Sequence, residues 1–146
     1  MAEVKEIELT EAYNIHLKIP EFKDPEDTLE HFKDRVEGKE SLVLAGFVDR
    51  KPAGYMISYD RYADGSIYCW MTGAVPEFRK QGVLSAMMNY LEKWAKENNF
   101  KSIKIKTRNA RREMLGYLVK HDFQFLEIEP KEEISDSRIL LEKKLI

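Results

Sequence analysis

Apolar positions along this chain repeat with two different rhythms, and each change of rhythm marks a change of element. The clearest run is 83–97, where Val83, Ala86, Met87, Tyr90, Leu91, Trp94 and Ala95 recur every three or four residues. That spacing predicts a helix with one buried face. Glu92 and Lys96 are spaced to pair on its outer side, and Asn98-Asn99 supplies a left-handed exit. Next, Ile103, Ile105 and Thr107 alternate with Lys104, Lys106 and Arg108, which predicts a strand with one wet face. A second amphipathic helix follows at 111–121, carrying Met114, Leu115 and Leu118. Strands at 123–128 and 138–145 complete the chain.

The first half reads as strand 3–9, two short helices, then three strands. Thr10 is placed to cap a helix over 11–18 that Pro20 stops. Asp24-Pro25-Glu26 looks like the start of the next helix, whose stripe is Leu29, His31, Phe32 and Val36 and whose end is Gly38. Strands 41–48, 53–59 and 66–75 are separated by turns at Asp49-Arg50-Lys51-Pro52 and Asp64-Gly65. Pro76 lacks a backbone donor and ends the third strand. The order is β-α-α-β-β-β-α-β-α-β-β. Its strand–helix–strand steps require crossovers, hence some parallel pairing in a mixed α/β sheet covered by helices. No repeat or linker divides the chain, so one domain over 1–146 is expected.

Composition narrows the partners. The 146 residues are 43% hydrophobic and 34% charged, with net charge −2, and the pI is near 6.0. The basic excess of a general nucleic-acid binder is lacking. No apolar run approaches a membrane span, and the opening residues do not read as a secretory signal, so a cytoplasmic location is expected. Cys69 is the one cysteine, and His16, His31 and His121 are scattered. An intramolecular disulfide is impossible and no metal site is expected.

Chemistry concentrates where strand 66–75 gives way to helix 83–97. Amides at a helix start have no carbonyl partner, and the dipole makes that end positive. Gly82 lets the backbone approach a phosphate without a Cβ between them, and Arg79 and Lys80 add charge. These residues predict a phosphate-bearing ligand, although a tight turn alone uses the same ones.

The run Val75-Pro76-Glu77-Phe78-Arg79-Lys80-Gln81-Gly82-Val83-Leu84 resembles the acyl-CoA signature of the GCN5-related N-acetyltransferase (GNAT) superfamily. In that family Arg/Gln-x-x-Gly-x-Gly/Ala follows a strand ending in hydrophobic-x-Pro. The order of elements is similar across the whole chain. The resemblance implies a mixed, mostly antiparallel sheet of about seven strands flanked by about four helices. It also implies acetyl-CoA as cosubstrate and a primary amine as acceptor. The amides from Arg79 through Lys80, Gln81, Gly82 and Val83 to Leu84 would hold the pyrophosphate. The pantetheine would lie between strands 66–75 and 103–107, with the amide near Ala74, beside Val75, polarising the thioester carbonyl. Gly73 would mark a bulge there. Leu84 departs from the pattern, standing where relatives have Gly or Ala.

Catalytic positions match less well. The leaving-group tyrosine of many relatives falls on Leu118, with Tyr117 one residue and about 100° of helix away. Asn109 resembles the family asparagine but lies two residues early, and could cap the following helix instead. The glutamate that serves some relatives as base is replaced by Tyr68, and strand 66–75 carries no carboxylate. Cys69 as a nucleophile competes with Cys69 as a small buried apolar group. The cluster Lys104, Lys106, Arg108, Arg111 and Arg112 is either a contact for the adenosine 3′-phosphate or a solvated face. Two functions follow: an N-acetyltransferase, monomeric or homodimeric, or a non-catalytic acyl-CoA-binding module on the same fold.

Overall fold

The computed structural model describes residues 2–146. Its strands are β1 (Ala2–Glu6), β2 (Ser41–Val48), β3 (Lys51–Tyr59), β4 (Ser66–Ala74), β5 (Ser102–Arg108), β6 (Gln124–Glu129) and β7 (Arg138–Lys144). Its α-helices are α1 (Leu9–His16), α2 (Leu29–Val36), α3 (Val83–Glu97) and α4 (Arg112–Lys120). The strands form one sheet in the order β1-β2-β3-β4-β5-β7-β6. Among the described residues only β4 and β5 run parallel; α3, the crossover between them, makes that possible.

Two apolar layers cover the sheet. On one face, Val83, Met87, Met88 and Leu91 of α3 and Leu115 and Leu118 of α4 are buried with Met56, Ile67, Cys69, Ile103 and Ile105. Truncating a side chain such as Met87 or Leu91 to alanine there costs about 2–5 kcal/mol. On the other face, Ala12 and Ile15 of α1 and Phe32 of α2 cover Tyr55 and Ile57. Two glycines set how low α3 sits. A Cβ at Gly46 would lie 2.7 Å from Val83 Cγ1, and one at Gly54 2.9 Å from the same atom. The first turn of α3 therefore rests directly on β2 and β3, beside the end of β4.

Several local expectations are corrected. Glu8 occupies the N-cap of α1 without a side-chain bond, so Thr10 lies inside the first turn and caps nothing. Asp24 closes a turn by accepting from the Glu26 amide at 2.9 Å. The helix instead begins after Thr28, whose hydroxyl accepts from the His31 amide at 3.1 Å. Asp49 and Arg50 both have positive φ, +50° and +67°, giving a two-residue turn whose twist matches the strands. Lys51 and Pro52 thus join β3, and the bulge opposite Gly46/Phe47 accommodates the proline. Glu92 pairs with Lys143 of β7 at 3.1 Å rather than with Lys96.

Candidate active site

β4 and β5 are bonded only from Ser66↔Ser102 to Cys69↔Ile105, although both strands run on, to Ala74 and Arg108. The divergence follows a bulge in β4. Met71 pairs with Ile57 and Cys69 with Ser58, leaving Trp70 without a partner. The bulge expected at Gly73 is thus three residues earlier, and Gly73 stays in register with Tyr55. Gly73 is needed for another reason: a Cβ there would lie 2.6 Å from Phe22 Cε2 and 2.9 Å from Ile19 Cδ1. The α1–α2 loop closes directly over it.

Past Trp70 a wedge opens between the strands, and the backbone of β4 faces into it. Val75 donates to the Ala53 carbonyl at 2.8 Å. Antiparallel alternation then pairs Gly73 and Met71 with β3 and turns the amides of Thr72 and Ala74 toward the wedge. The Ala74 carbonyl accepts from Arg79 Nε at 3.2 Å. Thr72 Oγ1 is buried without a hydrogen-bond partner, a state that costs about 1–3 kcal/mol unless a ligand satisfies it. Sequence reasoning missed Thr72, although the two-residue alternation counted back from Val75-Pro76 marks it.

At the end of the wedge a 3-10 turn over Pro76–Phe78 leads to Arg79. Lys80 and Gly82 take positive φ, +64° and +80°, and Gly82 caps α3 without any side-chain bond. Among the described residues, no protein group accepts from the amides of 80–85. Six donors therefore crowd one helix start, where the dipole favours an anion. Lys80, Gln81 and Gly82 are exposed while Val83 is buried. Leu84 is half-buried and packs against the larger core, which turns its side chain inward. The Arg79 guanidinium reaches the α1–α2 loop, 2.7 Å from the Glu21 carboxylate. The hydrogen bond to Arg79 holds the Glu21 carboxyl below its ordinary range. No local pattern announces this pair, whose members lie 58 residues apart.

The remaining expected residues divide. Leu118 is fully buried, whereas Tyr117 is half-buried with its ring 4.0 Å from that of His121. Tyr68 packs against Tyr59 and Tyr62 under the Arg61 guanidinium. Burial pushes its phenol up to about 12. Cys69 is wholly buried, and desolvation pushes its thiol up to about 12, so it is not a thiolate nucleophile. Asn109 does not cap α4. Arg111 holds that position without a side-chain bond, while Asn109 Oδ1 accepts from Arg112 at 2.8 Å and its amide donates to the Ser137 carbonyl. The basic cluster is partly spent: Lys104 pairs with Asp64 at 2.7 Å and Lys106 with Glu129 at 2.6 Å.

A diverging parallel pair in an otherwise antiparallel sheet, with an amide-rich loop opening the crossover helix, defines an acyltransferase-type fold. The chain belongs to the Acetyltransferase (GNAT) family, whose pattern it matches over residues 9–123. Solved structures agree in fold. The ribosomal-protein-S18-alanine N-acetyltransferase of Escherichia coli is 15% identical, with a TM-score of 0.82 over 99% of this chain and 94% of that one. Ard1 of Thermoplasma volcanium is 15% identical, with a TM-score of 0.80 over 99% and 98%. An acetyltransferase of Bacillus subtilis in complex with CoA is 17% identical, with a TM-score of 0.73 over 99% and 98%. No curated protein sequence matches the chain significantly.

Proposed function

We propose that this chain, acting as one domain over residues 1–146, moves an acetyl group from acetyl-CoA to a primary amine of a small molecule, peptide or protein. The reading places it in the cytoplasm as a monomer or homodimer; no described helix is long and apolar enough to cross a membrane. One observation carries the chemistry: six unpaired amides at 80–85 stand beside an unpaired length of β4. A diphosphate suits the amides. An extended pantetheine arm suits the wedge, where Thr72 and Ala74 offer bonds to it or to the thioester carbonyl.

Transfer is direct. The amine nitrogen forms a bond to the thioester carbon, the carbon–sulfur bond breaks, the thiolate takes a proton and the amine gives one up. The protein's part is alignment and carbonyl polarisation. Tyr68 keeps its proton at neutral pH, since burial pushes its phenol up to about 12, and so is no base. Tyr117, one residue from the family position and stacked on His121, is the candidate donor to the thiolate, with packing as its competing role. Replacing it by Phe is expected to cost less than about tenfold in rate, about 1.4 kcal/mol, with water substituting as donor. A loss of hundreds-fold would make Tyr117 essential.

Calorimetry with CoA, followed by thiol release over an amine panel, tests the whole reading. One CoA bound per chain with amine-dependent thiol release is expected. Binding without release on any amine makes the chain a non-catalytic module, and no binding defeats the proposal.

A further inference from the structure

On the face away from α3, the α1–α2 loop and the end of β5 come together near the open end of the wedge. Phe22 lies over Gly73 of β4, and the Arg111 guanidinium lies over the Phe22 ring, 5.8 Å from its centroid. Beside them is a cleft of about 440 Å³ whose charged lining is Glu21, Lys23, Arg108, Arg111 and Asp136. That volume falls in the range of small-molecule sites.

The charges of this cleft do not balance. On the same strand face, Lys104 and Lys106 each have an acid within ion-pair distance. Among the described residues, Lys23, Arg108 and Arg111 have none. Of the two acids in the lining, Glu21 is bound to Arg79 at 2.7 Å, which leaves Asp136. The adjoining outer cavity is even: Arg108, Lys131 and Arg138 face Glu132, Glu133 and Asp136. The positive excess is therefore local to this cleft at the end of β5. An amine is itself a cation before it reacts, and a positive cleft disfavours one that brings no counter-charge. Guanidinium groups offer paired donors that match a carboxylate.

We infer that the acceptor is an amine carrying a carboxylate, such as an amino acid or an acidic peptide, whose carboxylate is gripped by Arg108 and Arg111. This rests on the acetyl-transfer reading and deepens it. Arg108 ends β5 and Arg111 caps α4, so both stand on rigid elements beside the wedge. Asp136 remains to meet the ammonium of the incoming substrate.

The experiment compares matched acceptors, glycine against glycinamide and β-alanine against β-alaninamide, in the wild-type protein and the Arg108→Gln/Arg111→Gln variant. The expected kcat/KM ratio favours the carboxylate by at least about tenfold, the worth of one or two charge-assisted bonds. It collapses toward unity in the variant, while CoA affinity by calorimetry stays within about twofold. If turnover is slow with all four amines, binding of their N-acetylated products to the CoA-saturated protein, followed by ligand-observed NMR, is expected to show the same ratio and the same collapse. Amides that match or exceed carboxylates, or a preference that survives in the variant, overturns the inference. A large loss of CoA affinity in the variant also overturns it, because the arginines then serve the cofactor. Failure of the wild-type protein to bind CoA removes the acetyl-transfer reading itself, and the inference with it.

Discussion

Gly82 offers a way to separate shape from charge at the helix start. Its φ is +80°, and a Cβ there would meet nothing within 4 Å. A side chain at 82 therefore strains only the backbone, by about 1–2 kcal/mol for an L-residue in the left-handed region. Gly82→Gln and Gly82→Glu share that strain and nearly the same bulk, and differ by one negative charge. A diphosphate with about two charges, held roughly 6 Å from that carboxylate, is repelled by about 1.4 kcal/mol in a water-like dielectric and about 5.5 kcal/mol at an effective dielectric of about 20. The glutamate variant should therefore bind CoA roughly tenfold to ten thousand-fold more weakly than the glutamine variant. Calorimetry at low and high salt measures the gap, which narrows as the charges are screened. Both variants should melt about 2–8 °C below wild type, since backbone strain is common to them. Equal CoA affinities for the two variants, whether both weak or both intact, would refute a charge-sensitive phosphate loop.

Four further outcomes follow from buried and paired groups. His16 Nδ1 and the Tyr55 hydroxyl are 2.8 Å apart in the core under α1, so Tyr55→Phe should cost about 1–3 kcal/mol in urea denaturation. Desolvation lowers the His16 pKa below 6.5, against an opposing pull from Asp27. The unfolded chain then takes up the proton more readily, and stability should fall as pH drops below about 6.5. His16→Gln should flatten that part of the curve, and an unchanged slope would contradict it. Hydrogen bonds from Lys104 and Ser66 depress the Asp64 carboxyl from 3.8 to about 2. Its contribution is present above the unfolded value and should disappear as pH falls from about 4 toward 2. Asp64→Asn should remove that dependence and, the pair being exposed, cost under about 1 kcal/mol at neutral pH. Cys69→Ala should keep amine-dependent thiol release, and Cys69 in the native protein should resist alkylation until unfolding. Loss of activity with the fold intact would restore a thiol intermediate.

Features carried by local rhythm were readable from the chain. Helix α3 and strand β2 occupy the residues their patterns predict, because a buried face imposes its period on the sequence. The strand–loop–glycine–helix order likewise marked the amide-lined start of α3. What was not readable depends on distant partners. Asp24-Pro25 carries a helix-start signal, yet the turn bond to Glu26 uses Asp24 and leaves capping to Thr28. Gly73 looked like a bulge, but it is small because Ile19 and Phe22 close over it. The actual bulge at Trp70 arises where β4 leaves β5. The Glu21–Arg79 pair depends on contacts that only the assembled sheet creates.

The most direct test follows each backbone amide by NMR while CoA is titrated into isotopically labelled protein. The largest, saturable shifts should fall on the amides of 80–85, with Thr72 and Ala74 next as the wedge fills. Saturation of CoA binding with those amides unmoved, and the shifts gathered on another surface, would contradict the placement of the diphosphate at the start of α3.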